Sequence, residues 1–407
     1  MEQLNTIVFI GVNKSGSSRD AIKAAEKMGY FTVVFTNRDR QIEQREEYPD
    51  VHEMIFIDTE NLSIMRDEIK KLQIQGKEIK TIVSFINSYI HTASLLCDEF
   101  CQSIGTPDAI FKMEDKVETR NALEGQPYNP KFFIVNPNDS YSLMYEKLNF
   151  PVMVKSPKST GSKDALFAEN PHRLQDQMKK LTEKYPEESI IIEEYIDGDQ
   201  YLVEAIIHNS KVYTAAIIEQ EITQGKRFIV TGYGVLASVP EEIQTGVEGV
   251  LNSIVSELGL KNGSLHLELR HSKNGWKLIE VNPRISGGAM NQMIHAAFGY
   301  NVVEETLKLY LGETPILKPK RKNFVFTQYM IISKKGILER VTGRNRARRS
   351  PGVIDVYIKP RKGTRLIPPL SMGHRYAYVM AAGHSLEEAK ANAKNAANEI
   401  EFHLIEE

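Results

Sequence analysis

Short apolar runs alternate with helix-period segments through residues 1–112, and this alternation predicts a parallel, doubly wound sheet. Strands are expected at Thr6–Ile10, Thr32–Thr36, Met54–Ile57 and Thr81–Phe85, with helices at Arg19–Met28, Leu62–Gln75 and Ser88–Ser103. The pattern then changes. A second unit, residues 113–204, combines the apolar stretch Pro151–Lys155, a charged helix at Pro171–Lys184 and the strand Ser189–Glu193. A third, residues 205–318, follows strand Tyr201–Ile207 with strand Lys211–Ile218, helix Glu241–Leu258, a hairpin and helix Asn301–Leu311. Pro315 through Pro319 mark a linker to residues 319–407, where strands are expected at Val325–Ile332 and Tyr376–Ala381. The final helix starts near Ser385, with Glu388 three residues on as a capping box. The chain therefore reads as an α/β protein with four subunits of structure, the last of them α+β.

The hairpin in the third unit is the most informative pattern. Leu265–Arg270 and Lys277–Asn282 alternate apolar and polar residues on either side of Asn274-Gly275. A two-residue Asn274-Gly275 turn would set Glu268 opposite Val281 and mix both faces. A three-residue loop, Lys273-Asn274-Gly275 with Gly275 in a left-handed bulge, sets Glu268 opposite Glu280 instead. It also gathers Leu265, Leu267, Leu269, Ile279 and Val281 on one face, as a half-buried sheet requires. The other face then carries His266, Glu268, Arg270, Glu280 and Asn282. Like charges directly opposite one another destabilise a ladder, so a cation is expected between them. Two carboxylates with an amide oxygen suit magnesium. A solvated face with Arg270 as a local partner is the alternative that the hairpin leaves open.

Composition narrows the class without choosing a function. With 41% hydrophobic and 26% charged residues the chain is ordinary globular protein, and its formal charge of −2 gives no case for nucleic acid or an anionic membrane. No stretch has the length of a membrane span, and Ile7-Val8-Phe9-Ile10-Gly11 reads as a buried strand, not a secretory signal. The two cysteines, Cys97 and Cys101, share a helix face at a spacing that disfavours a disulfide; with His91 they lack a fourth metal ligand. Buried or half-buried free thiols and a cytoplasmic location are expected. The five arginines between Arg340 and Arg349 lack interleaved aromatics and read as a solvated or anion-facing loop.

Several segments carry candidate chemistry. Lys155 leaves an apolar strand into Ser156-Pro157-Lys158-Ser159-Thr160-Gly161-Ser162-Lys163, a small-residue loop whose amides can close over phosphate oxygens, although an exposed hairpin loop has the same appearance. Lys116 and Arg120 lie one helical turn apart and, by themselves, resemble a surface ion-pair cluster. The strand through Ile190, Glu193, Glu194, Tyr195 and Ile196 ends in Asp197-Gly198-Asp199, an exit able to present backbone groups to a flat heterocycle. Asn282-Pro283-Arg284-Ile285-Ser286-Gly287-Gly288 follows the paired carboxylates, and its arginine and glycine amides can bind an anion. The first turn, Gly11–Ser18, matches neither the dinucleotide pattern nor the P-loop and reads as a substrate-facing loop at most.

In this order the segments resemble the ATP-grasp carboxylate–amine ligases over most of the chain, most specifically in Glu268 … Glu280-Val281-Asn282-Pro283-Arg284. The resemblance implies an ATP-grasp fold: a parallel-sheet first domain, a mobile lid over about residues 120–195, a catalytic subdomain and a C-terminal α+β subdomain. It also implies ATP and Mg2+, with Mn2+ as a substitute. Lys116, Lys155 and Ser162 would contact phosphates, while Glu193, Glu194, Tyr195 and Ile196 would hold adenine. Glu268, Glu280 and Asn282 would hold the metal, and Arg284, with Gly287 and Gly288, would meet the reacting oxygens and the substrate. Glu204 matches a recurring active-site carboxylate. The loop after Lys155 departs from the family by being glycine-poor, which bears on lid closure. Within the superfamily the chain looks most like bacterial L-amino acid ligases that make dipeptides through an acylphosphate, with L-arginine as a candidate N-terminal residue and a homodimer expected by analogy. A ligase or carboxylase with a different acceptor, and an ATP-binding scaffold without turnover, are the alternatives.

Overall fold

Four β-sheets organise the computed structural model, which describes residues 3–101, 106–137, 139, 148–157, 164–224 and 228–405. The chain opens with β1 (Leu4–Ile10), α1 (Ser17–Lys27), β2 (Phe31–Thr36), α2 (Asp39–Glu43), β3 (Glu53–Phe56), α3 (Leu62–Ile74) and β4 (Lys77–Val83). These strands form a parallel sheet in the order β3-β2-β1-β4, the doubly wound arrangement that the alternation predicts. β4 begins four residues before the expected Thr81. It is an edge strand, and its polar start, where Lys80 meets Glu78 and Lys77 meets Glu53, hides the strand period. Three helices follow: α4 (Ile90–Phe100), α5 (Pro107–Glu114) and α6 (Lys116–Ala122), the last capped by the Asp115 side chain. Cys97 is buried and Cys101 half-buried, and both are free thiols.

The next sheet holds β5 (Phe132–Val135), β6 (Val152–Lys155), β7 (Ala165–Ala168) and β8 (Ile190–Glu194), with α7 (Pro171–Lys184) packed on it through Leu174, Met178 and Leu181. Then come β9 (Asp199–His208), β10 (Lys211–Gln224), β11 (Phe228–Val235), α8 (Glu241–Leu258), β12 (Gly263–Ser272), β13 (Gly275–Asn282), α9 (Met290–Phe298) and α10 (Val302–Tyr310). The chain ends with β14 (Phe324–Met330), β15 (Gly336–Thr342), α11 (Arg344–Arg348), β16 (Val353–Ile358), β17 (Arg365–Leu366), β18 (Ala377–Gly383), α12 (Leu386–Asn398) and β19 (Glu401–Ile405). The arginine-rich stretch is thus strand followed by short helix, and not the expected loop; Ala347 alone of α11 turns inward, leaving Arg344, Arg346 and Arg348 exposed.

One eight-stranded sheet, β13-β12-β9-β10-β11-β14-β18-β16, runs from the hairpin into the last unit. Its β11 has no counterpart in the sequence reading, because Gly232 and Gly234 look like breaks. A Cβ on Gly232 would lie 2.4 Å from the Phe326 ring, so the glycine lets β14 close on β11. Two large cores hold the layers together. One joins the parallel sheet to α9 and α10 through Phe9, Ile22, Ile285, Met293 and Leu307. The other sets α5 (Ile110, Met113) and Leu123, just past the end of α6, beside Leu265, Leu267, Leu269, Leu278 and Val281 of the hairpin.

The hairpin pairs Glu268 with Glu280, as expected, but by a different route. The strands close tightly, with Ser272 opposite Gly275 and Leu269 opposite Leu278, and the register slips after that pair. The extra residue is therefore Ile279, not Gly275. Leu278, not Ile279, enters the core, while Ile279 faces the cavity. Such a bulge leaves backbone carbonyls without ladder partners, and Arg120 Nη2 donates to both Leu278 O (3.1 Å) and Ile279 O (2.9 Å).

Candidate active site

β6, β8, β9, β12 and β13 converge on a cavity of about 820 Å³, closed on a further side by Leu370, Ser371 and Met372 of the last unit. Lys116, Lys155, Glu193, Glu194, Tyr195, Ile196, Glu268 and Glu280 all line it. The first turn of α6 supplies Lys116, whose Nζ lies 3.2 Å from Glu280 Oε1. The neighbouring Glu268 accepts from Gln200 Nε2 at 3.1 Å and lies 3.8 Å from His266 Nε2. Side-chain cations thus flank the carboxylate pair. Burial pushes the Glu268 carboxyl up, but the His266 hydrogen bond and charge, with Lys155 and Lys116, hold it below its ordinary value.

Behind this pair sits an ionic arrangement on one sheet face. Glu204 is fully buried; its Oε1 lies 2.6 Å from His266 Nδ1, and its Oε2 accepts from Ser286 N at 3.0 Å. Burial opposes a charged ring, yet Glu204 and Glu268 outweigh it and hold the His266 pKa up at about 10. Glu204 therefore ties β9 to the loop that carries Arg284, Gly287 and Gly288. Arg284 Nε donates to Asn87 Oδ1 and its Nη1 to Ile285 O at 2.9 Å, while Asn87 Nδ2 donates to Asn282 Oδ1 at 3.2 Å. Burial pulls the Arg284 pKa down against the pull of Glu204, Glu280 and Glu268. The first turn of the chain reaches this loop too: Ser17 Oγ donates to Ser286 O at 2.5 Å.

At the other end, Glu193 holds two cations in a buried triad, Arg120 Nε at 2.7 Å and Lys155 Nζ at 2.5 Å. Burial alone would raise its pKa, but the two cations lower it to about 2. Tyr195 meets Phe167 edge-on at 5.1 Å, and Ile196 O accepts from Arg270 Nη1. Glu194 accepts from Lys131 N at 2.9 Å. Ser162 lies outside the described residues. Arg120, which by its spacing from Lys116 alone reads as part of a surface ion-pair cluster, is instead buried against Glu193. Asn87 is a site residue for which the sequence carries no signal.

Glu268, Glu280 and Asn282 offer oxygen donors of the hard type that magnesium takes, and the first two face the same cavity as Lys116 and Lys155. Among the described residues no group of three His, Cys, Asp or Glu side chains is arranged to hold a metal, so a divalent ion here would keep oxygens from phosphate and water.

Residues 148–292 match the ATP-grasp domain family, and residues 328–404 match the L-amino acid ligase C-terminal domain 2. An uncharacterized protein of Sinorhizobium fredii, y4rH, is 25% identical over 86% of this chain and 74% of its own length. Carnosine synthase 1 of Gallus gallus is 23% identical over 32% of the chain, which spans only 14% of that protein. In fold the chain is similar to L-amino acid ligase from Bacillus licheniformis (TM-score 0.82, 19% identity, all of both chains). It is similar also to phosphoribosylglycinamide synthetase from Anaerococcus prevotii (TM-score 0.75, 16% identity, 99% of this chain and 100% of that one). A third likeness is the biotin carboxylase domain of the Hydrogenobacter thermophilus 2-oxoglutarate carboxylase, seen with MgADP (TM-score 0.69, 16% identity, 100% and 92%).

Proposed function

We propose that this chain, an ATP-dependent carboxylate–amine ligase of the ATP-grasp fold, joins two L-amino acids into a dipeptide, with L-arginine as a candidate for the N-terminal residue. One observation carries the dipeptide reading. The segment that matches the L-amino acid ligase C-terminal domain sends Leu370, Ser371 and Met372 into the same cavity as Lys116, Lys155 and the carboxylate pair.

In this reading a carboxylate oxygen of the first amino acid forms a bond to the γ-phosphorus of ATP as the bond to the β,γ-bridging oxygen breaks, releasing ADP. The amine of the second amino acid then bonds to the acyl carbon, phosphate departs, and a proton leaves the nitrogen. Lys116 and Lys155 place positive charge beside the transferred phosphoryl group. Glu193 holds Lys155 in place, and Arg120 couples Glu193 to the bulge of β13, so nucleotide and carboxylate pair share one frame. Glu268, Glu280 and Asn282 would hold magnesium, which supplies charge neutralisation at the phosphate oxygens. Arg284, fixed by Asn87, would orient the reacting carboxylate. Holding the amine beside the acyl carbon could lower the barrier by about 7–11 kcal/mol, the upper range for proximity, which removes any need for a covalent side-chain intermediate.

The test is phosphate release from magnesium-ATP with the twenty L-amino acids, singly and in pairs, with product masses. Pair-dependent release with a dipeptide mass is expected. Release without any dipeptide would move the acceptor to another compound class and overturn the dipeptide reading.

A further inference from the structure

The last unit reaches the cavity through the loop of residues 367–376, between β17 and β18. Tyr376, which is buried, closes its neck: Tyr376 Oη accepts from Ile367 N at 3.0 Å and donates to Ile367 O at 3.1 Å. Inside the loop, His374 Nδ1 accepts from Leu370 N at 3.3 Å and His374 N donates to Ser371 O at 3.1 Å. Ser371 Oγ accepts from Gly373 N at 3.3 Å, and Pro368 and Pro369 restrict two further backbone torsions. A loop tied at its neck and filled by its own groups moves as one body. Its place on the cavity therefore depends on what grips it from outside.

Arg375 supplies that grip. Its Nε donates to Met372 O at 3.3 Å within the loop, while its Nη1 donates to Val230 O and Tyr233 Oη of β11, both at 3.3 Å. The guanidinium lies 3.9 Å from the Tyr329 ring centre and 5.6 Å from that of Tyr233, and the two rings meet edge-on at 5.7 Å. One planar fork thus spans loop, strand and rings, a geometry that a lysine cannot copy. Lys359 Nζ holds the outer side through Gly373 O at 3.0 Å. Val230 and Tyr233 line the cavity together with Leu370 and Met372, so strand and loop form one wall with Arg375 behind it. Leu370 stands at the rim of that wall: it lines the cavity and is still 46% exposed. An apolar side chain in that position separates the cavity from bulk water.

We propose that Arg375 is a positioning residue that holds the Leu370–Met372 loop as a water seal, so that the acylphosphate meets the amine and not the solvent. Water reaching that intermediate would return the free carboxylate, phosphate and a proton, consuming ATP without forming an amide. The inference rests on the amino-acid ligase reading and adds to it what shields its intermediate.

The ratio of phosphate released to dipeptide formed tests it, measured on the full chain with magnesium-ATP and one productive pair of L-amino acids. The wild-type ratio should lie close to unity. Arg375→Ala should raise it about threefold to tenfold, the range that one ordinary hydrogen bond governs. A fall in turnover or melting temperature with the ratio unmoved would make Arg375 structural only and overturn the proposal, while the ligase reading stands. If wild type makes no dipeptide from any pair, the ligase reading fails, and ADP release in magnesium-ATP without amino acids decides the seal. Faster release in R375A than in wild type would support it; an equal or slower rate would overturn it. Should R375A not fold, R375K and Leu370→Ser at the exposed rim take its place in both assays. Both should raise the ratio, or the ADP release, and a wild-type value in either would count against the seal.

Discussion

Glu280 balances two opposed contacts, and its replacement separates metal binding from structure. It faces Glu268 directly across the hairpin, a like-charge pairing that costs about 0.2–1 kcal/mol, and it meets Lys116 at 3.2 Å in a half-buried setting, a contact worth a similar amount. Glu280→Gln removes both, so the melting temperature without magnesium should move by no more than about 2 °C. Turnover, measured as ADP release, should fall roughly a hundredfold or more if a charged metal ligand is lost. Unchanged turnover would sink the metal role, and a collapsed fold would make Glu280 structural. The pair was legible in the sequence because both glutamates sit in one short, alternating hairpin. Their partners were not. Lys116 lies far from Glu280 along the chain, Arg120 reaches Glu193 across 73 residues, and Asn87 reaches Arg284 across 197. Such long-range contacts leave no local period, which is why Lys116 and Arg120 read as surface charges.

Elements with strong end signals were placed to the residue, and those whose ends depend on neighbours were not. α7 begins at Pro171 behind the Asn170 cap, and α8 stops at Leu258 before Gly259 in the left-handed region. The bulge at Ile279 had no such mark, since the slip occurs inside the strand and not in the loop from which both registers are argued. The turn from β8 to β9 shows what tertiary contact adds. Gly198 has φ +134°, and a Cβ there would lie 2.2 Å from His271 O of β12, a backbone atom that cannot rotate away. Gly198→Ala should therefore cost about 1–3 kcal/mol, read as a fall of several degrees in melting temperature. It should also raise the KM for ATP, because Tyr195 and Ile196 enter the same turn and Ile196 O is held by Arg270 of β12. A variant with wild-type melting and KM would show that the turn yields freely and that Tyr195 and Ile196 have no part in holding ATP.

At the scale of the molecule, the eight-stranded sheet decides whether the last unit is an appendage or part of the site's frame. Pro315 and Pro319 suggest a linker, and the charge changes there: residues 319–407 hold 17 Lys and Arg against 8 Asp and Glu in a chain of net charge −2. Backbone pairing does not follow that divide. β14 completes β11 through Gly232 to Gln328 and Val235 to Val325, and Val325 and Met380 belong to the core that holds Ile7, Ile285 and Met293. Arg375 lies 3.9 Å over the Tyr329 ring and donates to Val230 O at 3.3 Å, bracing the strand whose Val230 and Tyr233 line the cavity that also holds Lys116 and Lys155. Lys390 and Lys394 of α12 both reach Glu221 of β10. Ending the chain at Lys318 would uncover the β11 edge and open that core, leaving an unpaired apolar strand that is prone to aggregate. Residues 1–318 should accordingly lack a cooperative thermal transition and elute as aggregates on size exclusion, with magnesium-ATP giving no stabilisation. A monomeric fragment that melts cooperatively and is stabilised by magnesium-ATP would show instead that the sheet tolerates a cut at β11 and that the last unit serves the substrate side alone.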